Sequence, residues 1–360
     1  MKNRLILLFL LLLHDSVNAQ NRIENLIIIT TDGLRWQEIF NGVDTVIANN
    51  ERFNEKDSSY IYRNYGASNP FESRKKIFPF LWSTFLKEGQ LYGNRAYHTN
   101  VNTANPYRTS YPGYSELLTG YTDLTINSNS FPNNPNANFL GFLHKQPQFK
   151  NQVAVFCAWE TFNRILNEPN IGFPVIAAFD KTGGAHPTEK EILFNSMLTS
   201  SYKPWNYGEC LDVFTHHAAL EHLKTKQPRV LYIAYGETDE WAHSGKYKSY
   251  LNAAKQVDEW IEEIWTYVQS QPKYKNKTAL ILTTDHGRGE TWRWTEHDSS
   301  VPASDQTWFG IMAPGIKAKG EVKTTIQLYQ QQLAQTMAAL LGLKFKAEHP
   351  VAEAVEEINK

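Results

Sequence analysis

Short runs of apolar and β-branched residues recur along this chain, and each is followed by a polar or glycine-containing break. Such runs are typical of strands that are buried on both faces of a parallel sheet. Between two of them, over residues 250–268, apolar residues recur at helical spacing. The alternation predicts a doubly wound α/β fold, with a mostly parallel central sheet, helices on both faces and loop insertions. The clearest predicted strands are residues 26–31, 153–157, 230–234, 279–284 and 308–313.

The first 19 residues have the pattern of a secretory signal peptide. Lys2 and Arg4 supply positive charge, residues 5–13 are almost wholly apolar, and Val17-Asn18-Ala19 resembles a signal-peptidase site. The apolar run is too short to cross a bilayer, and no later stretch is long enough for a membrane span. We therefore expect an exported protein, periplasmic or secreted.

The remaining residues, 20–360, are expected to form a single catalytic domain. Polar segments without periodicity predict insertions near 41–73 and 122–200, where loops often border a ligand cleft. The formal net charge is −1 and the sequence has no basic stripe, which argues against a nucleic-acid polymer as partner. Two cysteines, Cys157 and Cys210, either form a disulfide or lie buried as thiols.

Acidic and imidazole side chains follow the predicted strands. Ligands of an open parallel sheet bind outside the carboxyl ends of its strands, so these residues are expected to share one cleft. Carboxylates gathered there would repel one another unless cations lay among them. Mixed nitrogen and oxygen ligands favour zinc over magnesium or calcium. The predicted ligands are Asp32, Asp239, His243, Asp285, His286 and His297.

A candidate nucleophile lies in the segment 108–120, where a polar stretch turns into a short helix that ends at a glycine. Pro112 suits a first helical turn and would leave Ser110 at the helix N-terminus, where an anion such as phosphate is favoured. The simpler alternative is that Ser110 or Thr109 only caps the helix. Thr109 is also a rival nucleophile.

In order, Thr-Asp-Gly at 31–33, Ser-x-Pro-Gly at 110–113, Asp-x3-His at 239–243, Asp-His-Gly at 285–287 and a final His297 resemble the alkaline phosphatase superfamily. The resemblance is greatest to its nucleotide pyrophosphatase/phosphodiesterase branch and runs from about residue 26 to residue 297. It implies a two-metal hydrolase of phosphoric esters that acts through a covalent phosphoserine at Ser110. It also implies that one ion is held by Asp32, Ser110, Asp285 and His286, and the other by Asp239, His243 and His297.

Substrate contacts are less sharply defined by the resemblance. The branch commonly has threonine where this chain has Ser110, and asparagine where it has Gly113. Asn127 or Asn129 corresponds to a family asparagine that binds a phosphoryl oxygen. Basic residues that could meet phosphate charge are Arg35, which we take as a substrate contact, and also Arg108 and Arg288.

Several functions remain open on the sequence. The expected substrate is a small phosphorylated molecule, with phosphodiesters or nucleotide-like esters favoured, and a phosphomonoesterase is the alternative. A sulfatase is less favoured because Tyr114 stands where the sulfatase motif has arginine. A binding protein that kept the fold and lost the chemistry is the remaining possibility.

Overall fold

The computed structural model of the chain describes residues 23–359. The predicted signal peptide at 1–19 lies outside the described residues and stays a prediction. The described strands are β1 (Asn25–Thr31), β2 (Gln90–Tyr92), β3 (Thr99–Asn102), β4 (Val153–Cys157), β5 (Ile176–Ala177), β6 (Val230–Tyr235), β7 (Thr278–Thr284), β8 (Gln306–Thr307), β9 (Phe309–Met312), β10 (Gly320–Glu321) and β11 (Ile326–Tyr329).

Eight of these strands form the central sheet, in the order β10-β2-β9-β7-β1-β6-β4-β5. Strand β9 runs antiparallel to its neighbours β7 and β2, and the other pairs are parallel. The remaining three strands form a small sheet in the order β11-β3-β8. The predicted mostly parallel sheet is confirmed, and each of the five predicted runs forms a strand.

One expectation is wrong: the run at 308–313 is not a parallel strand. Parallel neighbours need a crossover connection, usually through a helix. The segment between β7 and β9, which the structure describes in full, contains one turn of 3-10 helix, Thr291–Arg293, and the short strand β8, but no α-helix that could carry the chain across the sheet. The chain therefore returns along β7 in the opposite direction.

The α-helices flank the sheet on both faces. The long helix predicted by apolar spacing is observed as Tyr247–Ser270. No helix among the described residues has both the length and the apolar character needed to cross a bilayer. In chain order the α-helices are α1 (Trp36–Asn41), α2 (Thr45–Ala48), α3 (Ser58–Tyr65), α4 (Pro70–Ile77), α5 (Leu86–Glu88), α6 (Ser110–Thr119), α7 (Phe139–Lys145), α8 (Phe162–Ile165), α9 (Glu168–Ile171), α10 (Glu189–Ser200), α11 (Asp212–Lys226), α12 (Glu237–His243), α13 (Tyr247–Ser270) and α14 (Gln332–Leu340).

The central strands β1, β6 and β7 are buried along their whole length because each contributes side chains to two hydrophobic layers. In β1, Ile27 and Ile29 join the layer on one face, and Leu26 and Ile28 join the layer on the other. Successive side chains of a strand point to opposite faces, so both sets are removed from water. Helix α13 packs into the first layer, whereas α6 and α14 pack into the second.

The polar segment at 41–73 contains short helices rather than irregular chain. Helices α2, α3 and α4 begin after Asp44, Asp57 and Asn69, whose side chains accept hydrogen bonds from the first helical turn. Capping by polar side chains satisfies backbone N–H groups without an apolar period. A search for periodicity therefore does not detect these helices.

Asp258 of α13 gives a test of the packing between α13 and the segment after α4. Its buried carboxyl oxygens accept hydrogen bonds from the backbone N–H groups of Phe80, at 2.7 Å, and Leu81, at 3.0 Å. Burial raises its pKa from 3.8 to about 7. The carboxyl group therefore contributes stability that is fully present below about pH 4 and is lost as the pH rises through about 7.

Asp258→Asn removes this titration while keeping a similar shape. Between pH 5 and pH 7, the unfolding free energy of the unaltered protein should fall by about 2 kcal/mol relative to that of the variant. Urea denaturation at the two pH values measures the difference. If the difference in unfolding free energy between the unaltered protein and the variant were the same at pH 5 and pH 7, the carboxyl group would have an ordinary pKa in the folded chain.

Candidate metal centre

The carboxyl ends of three adjacent strands bring the predicted ligands together. Asp32 follows β1 directly and Asp285 follows β7 directly. Asp239 lies in α12, which a single residue, Gly236, separates from β6. Strands β7, β1 and β6 are neighbours and parallel, so the residues that follow them share one edge of the sheet. Ser110, the first residue of α6, reaches the same edge from a helix on one face of the sheet.

The first ligand group consists of Asp32, Ser110, Asp285 and His286. The Nε2 atom of His286 lies 3.2 Å from Asp32 Oδ1 and 3.3 Å from Asp285 Oδ2. The Ser110 hydroxyl oxygen lies 3.2 Å from His286 Nε2 and 3.4 Å from Asp32 Oδ1. The structure therefore brings together the four residues that the resemblance assigns to one ion.

The second ligand group consists of Asp239, His243 and His297. The Nε2 atom of His243 lies 3.0 Å from Asp239 Oδ2 and 3.0 Å from His297 Nε2. His297 Nε2 is 3.7 Å from Asp239 Oδ1. The rings of His286 and His297 stack with their centroids 3.8 Å apart, so the two groups adjoin.

The donor set of the first group fits a divalent cation. His286 Nδ1 lies 2.9 Å from the carbonyl oxygen of Gly287, which only accepts hydrogen bonds. The tautomer that donates from Nδ1 to this carbonyl directs its Nε2 lone pair towards the carboxylates. The buried Oδ2 atom of Asp285 has no hydrogen-bond partner. Lone pairs that face one another across about 3 Å repel unless a cation lies between them. In zinc sites, a hydrogen bond from the second ring nitrogen to a carbonyl group orients the histidine, as the contact of His286 Nδ1 with Gly287 does here.

His297 is oriented similarly, because its Nδ1 lies 3.0 Å from the carbonyl oxygen of Arg108. Arg108 has a left-handed backbone with φ of 57°. The loop before α6 is held by Glu116, whose carboxylate accepts hydrogen bonds from the backbone N–H groups of Ala104 and Asn105, both at 2.7 Å. Glu116 lies on α6, so the helix that carries Ser110 also fixes the loop that orients His297.

The pKa shifts of the acidic groups have the signs expected of a crowded, buried site. Burial, and to a smaller extent the charge of Asp239, raises the pKa of Asp32. Burial, and to a smaller extent the charge of Asp32, raises the pKa of Asp285. Burial and then His286 lower the pKa of His297. Burial alone would raise the pKa of Asp239, but Arg288 and then His243 outweigh it and hold that pKa well below its usual value. A cation among these groups would favour the ionised carboxylates and the neutral imidazoles.

Neither hydroxyl at the start of α6 caps the helix. Thr109 is the N-cap residue, but its side chain makes no capping hydrogen bond. The Ser110 hydroxyl contacts Asp32 and His286 instead. Of the two nucleophile candidates, Ser110 is therefore the one that lies among the predicted ligands.

The predicted substrate contacts differ in their surroundings. Asn129 Oδ1 accepts a hydrogen bond from the backbone N–H of Tyr111 at 2.9 Å, which brings this side chain next to Ser110. Asn127 is exposed.

The prediction that Arg35 contacts the substrate is wrong. Its guanidinium is fully buried and donates hydrogen bonds to Glu38, at 2.9 and 2.6 Å, and to Asp44, at 2.9 Å. Glu38 lies three residues further on, within α1, so the i,i+3 spacing draws the guanidinium into the fold. Arg35 therefore stabilises the fold and is not available to phosphate.

Tyr114 and Glu209 lie near the site but were not among the predicted site residues. Tyr114 is fully buried one helical turn after Ser110, and burial and then Asp285 and Asp32 raise its pKa. The i,i+4 spacing from Ser110 is the signal that could have found it. Glu209 lies against the backbone of Gly236, where a Cβ atom would stand 1.8 Å from Glu209 Oε1. It comes from a loop, and no periodic pattern marks it.

The two cysteines are buried free thiols. Burial raises the pKa of both Cys157 and Cys210, which opposes formation of a reactive thiolate. Of the two interpretations of these residues, the structure shows the buried thiols.

The comparisons with known proteins agree with this geometry. Residues 176–303 match the family model of the Metalloenzyme superfamily. The structure is similar to that of wild-type alkaline phosphatase PafA, with a TM-score of 0.60 and 10% identity, over 94% of this chain and 99% of that chain. No curated protein sequence matches the chain. The protein has the alkaline phosphatase superfamily fold.

Other solved structures share this fold. A putative sulfatase from Bacteroides thetaiotaomicron has a TM-score of 0.59 and 13% identity, over 93% of this chain and 74% of that chain. The phosphonate monoester hydrolase from Silicibacter pomeroyi has a TM-score of 0.52 and 13% identity, over 93% of this chain and 76% of that chain. The resemblance is thus confirmed at the level of the fold, which is shared by proteins named for different ester substrates.

The segment that matches the family model contains most of the predicted ligands. Asp32 and Ser110 lie before it in the chain, and geometry alone joins them to the others. Divalent metal ions are the cofactors that the family match and the ligand groups support. The ligands within the matched segment are Asp239, His243, Asp285, His286 and His297.

Gly33 offers a test of how tightly this site is packed. It has φ of +55°, and a Cβ atom there would stand 2.6 Å from Asp239 Oδ1 and 2.8 Å from Arg288 Nη1. Gly33→Ala should cost about 1–2 kcal/mol of stability for the left-handed backbone, and should also lower the content of bound metal by displacing Asp239. Denaturation and elemental analysis of the purified protein measure the two effects.

Gly184→Ala is the matched control. Gly184 has a similar φ of +56°, and nothing lies within 4 Å of its added Cβ. The control should lose only the stability that the left-handed backbone costs, about 1–2 kcal/mol, and should keep its metal content. Equal metal contents in the two variants would show that the space around Gly33 does not matter to the ligands.

Proposed function

We propose that this protein is a metal-dependent hydrolase of phosphoric esters, with two zinc ions as cofactors and Ser110 as the nucleophile. One observation carries the proposal: the Ser110 hydroxyl oxygen lies 3.2 Å from His286 Nε2 and 3.4 Å from Asp32 Oδ1, at the edge of a carboxylate and imidazole cluster. A hydroxyl group held among metal ligands is the arrangement that activates a serine without a separate base.

The residues divide into two sets in this proposal. Asp32, Ser110, Asp285 and His286 would hold one ion, and Asp239, His243 and His297 would hold the other. The bound ions would supply positive charge that favours the Ser110 alkoxide and offsets charge on the phosphoryl and leaving oxygens. Asn129 accepts from Tyr111 through Oδ1, and we assign its Nδ2 group as a donor to a phosphoryl oxygen.

The chemistry of the chain itself is a double displacement. Ser110 Oγ gives up its proton and forms a bond to phosphorus, while the bond from phosphorus to one ester oxygen breaks and that oxygen takes up a proton to leave as an alcohol. The product is a phosphorylated Ser110, which for a diester substrate still carries the second ester group. Water then attacks the same phosphorus, the bond to Oγ breaks, and the hydroxyl of Ser110 is restored. In-line positioning of the attacking and departing oxygens and stabilisation of charge are what this reaction mainly requires.

We favour phosphodiesters, including nucleotide-like esters, over phosphomonoesters. A monoester carries more negative charge at neutral pH and is commonly met by a free guanidinium. Arg35 and Arg288 are committed to buried ion pairs with Glu38 and Asp239. The guanidinium of the third candidate, Arg108, lies 3.9 Å from the carboxylate of Asp305, so this residue also has an acidic partner. The three arginines considered therefore favour a substrate that carries less charge than a monoester.

Replacement of Ser110 by alanine tests the nucleophile. Ser110→Ala should reduce turnover of an aryl phosphodiester by a factor on the order of 10³ or more, while the other ligands keep the bound metal. Thr109→Ala is the matched control and should retain most of the activity, because the Thr109 side chain makes no hydrogen bond. Full activity in Ser110→Ala would exclude the phosphoserine.

The substrate class is tested with three aryl esters that share one leaving group: a phosphodiester, a phosphomonoester and a sulfate monoester. The proposal expects the highest kcat/KM for the phosphodiester, and loss of activity in EDTA that is restored by zinc. A higher kcat/KM for the phosphomonoester would support the alternative activity. Preference for the sulfate ester would overturn the assignment to phosphate chemistry.

A further inference from the structure

Arg288 lies at the centre of the second ligand group. The residue is buried, and its Nη1 atom donates a hydrogen bond to Asp239 Oδ1. Its Nη2 atom lies 3.3 Å from His243 Nδ1 and donates to the carbonyl oxygen of Thr295 at 2.6 Å. Its Nε atom donates to the carbonyl oxygen of Trp294 at 2.8 Å. One guanidinium therefore contacts Asp239, His243 and the segment that leads into His297.

We propose that the fixed positive charge of Arg288, in contact with Asp239 and His243, makes the affinity of the second ligand group for metal much lower than that of the first group. This inference rests on the metal-dependent function proposed above. It concerns the unequal strength of the two sites, which neither the resemblance nor the family match implies.

The positive charge of Arg288 is fixed in place. A guanidinium stays protonated in proteins, and its planar donors suit a carboxylate and neighbouring carbonyl groups. Withdrawal of the side chain would leave the carbonyl oxygens of Trp294 and Thr295 without these donors and would leave Asp239 without its counter-charge. The group therefore remains beside Asp239 when a cation approaches.

The two ligand groups differ in whether their carboxylates already have a positively charged partner. In the first group, His286 presents a lone pair to Asp32 and Asp285, and Asp285 Oδ2 has no hydrogen-bond partner. In the second group, Asp239 already pairs with Arg288. A cation thus relieves repulsion at the first group, whereas at the second it competes with a charge of the same sign.

The proton of His243 adds to this difference. An arginine only donates hydrogen bonds, so His243 Nδ1 accepts from Arg288 and the ring proton lies on Nε2. That Nε2 atom is 3.0 Å from Asp239 Oδ2 and 3.0 Å from His297 Nε2, both of which can accept. Hydrogen bonds therefore hold the second group together, and an ion must displace them to bind.

Titration of the metal-free protein with zinc tests this inference. Competition calorimetry of the unaltered protein should resolve one tight site and one site that is weaker by about 100-fold or more, since a like charge in contact costs several kcal/mol. Arg288→Met removes the charge and keeps much of the volume. In this variant the second site should tighten by at least about tenfold, while the first changes little.

Thermal unfolding gives a second readout that a purely structural role would not produce. Arg288→Met should lower Tm without metal, because the buried carboxylates lose their counter-charge, and should show a larger rise in Tm on addition of zinc. Arg288→Lys keeps the charge, so its second site should stay weak even if Arg288→Met fails to fold. Arg293→Gln is the matched control, since Arg293 belongs to the same loop and pairs with Glu296 at the surface, and both of its sites should be unchanged.

The remaining outcomes separate failure of this inference from failure of the proposed metal-dependent function. Equal affinity at the two sites of the unaltered protein would overturn the inference and leave the proposed hydrolase intact. A second site that weakens in Arg288→Met, or tightens in Arg288→Lys, would also overturn the role of the charge. Failure of the unaltered protein to bind any zinc would overturn both the inference and the metal-dependent function.

Discussion

Repulsion among buried acceptor atoms is the constraint on which the site depends. Asp32 and Asp285 directly follow the adjacent parallel strands β1 and β7, and Asp239 lies on the helix that follows the neighbouring strand β6, so the sheet holds their carboxylates at one edge. His286 adds a nitrogen lone pair to the same space at 3.2 Å from Asp32. Such a cluster is costly in a folded protein unless cations neutralise it. The family match to metalloenzymes is consistent with that physical requirement.

The fold meets this constraint with rigid supports. The strands that carry the ligands are buried on both faces, and helix α6 brings Ser110 to them from one hydrophobic layer. Glu116 of the same helix ties down the loop whose carbonyl group at Arg108 orients His297. Nucleophile and ligands are thus held by elements that pack together, which is what precise positioning of reacting groups needs. Arg288 supplies the one fixed positive charge among these groups, at the second of the two ligand groups.

The sequence could predict the strands and the ligands because both follow from local patterns. Buried parallel strands are apolar runs, and the residues after them lie at the ligand edge, which identified Asp32 and Asp285. Features that depend on distant partners could not be predicted in this way. The direction of β9 depends on the connection that precedes it, the burial of Arg35 depends on Glu38 and Asp44, and Glu209 reaches Gly236 from a loop. The sequence offered Arg288 as a phosphate contact, and only the structure shows it against Asp239.

Anomalous X-ray diffraction at the zinc edge, from crystals of the protein grown with zinc, would show whether the clustered ligands bind metal. We predict a strong peak within about 2.0–2.3 Å of side-chain atoms of Asp32, Asp285 and His286, next to the hydroxyl of Ser110. A second peak of lower occupancy is predicted beside Asp239 and His297. Zinc bound only elsewhere on the protein, with the side chains at the strand ends free of metal, would show that repulsion among these ligands is not relieved by a cation.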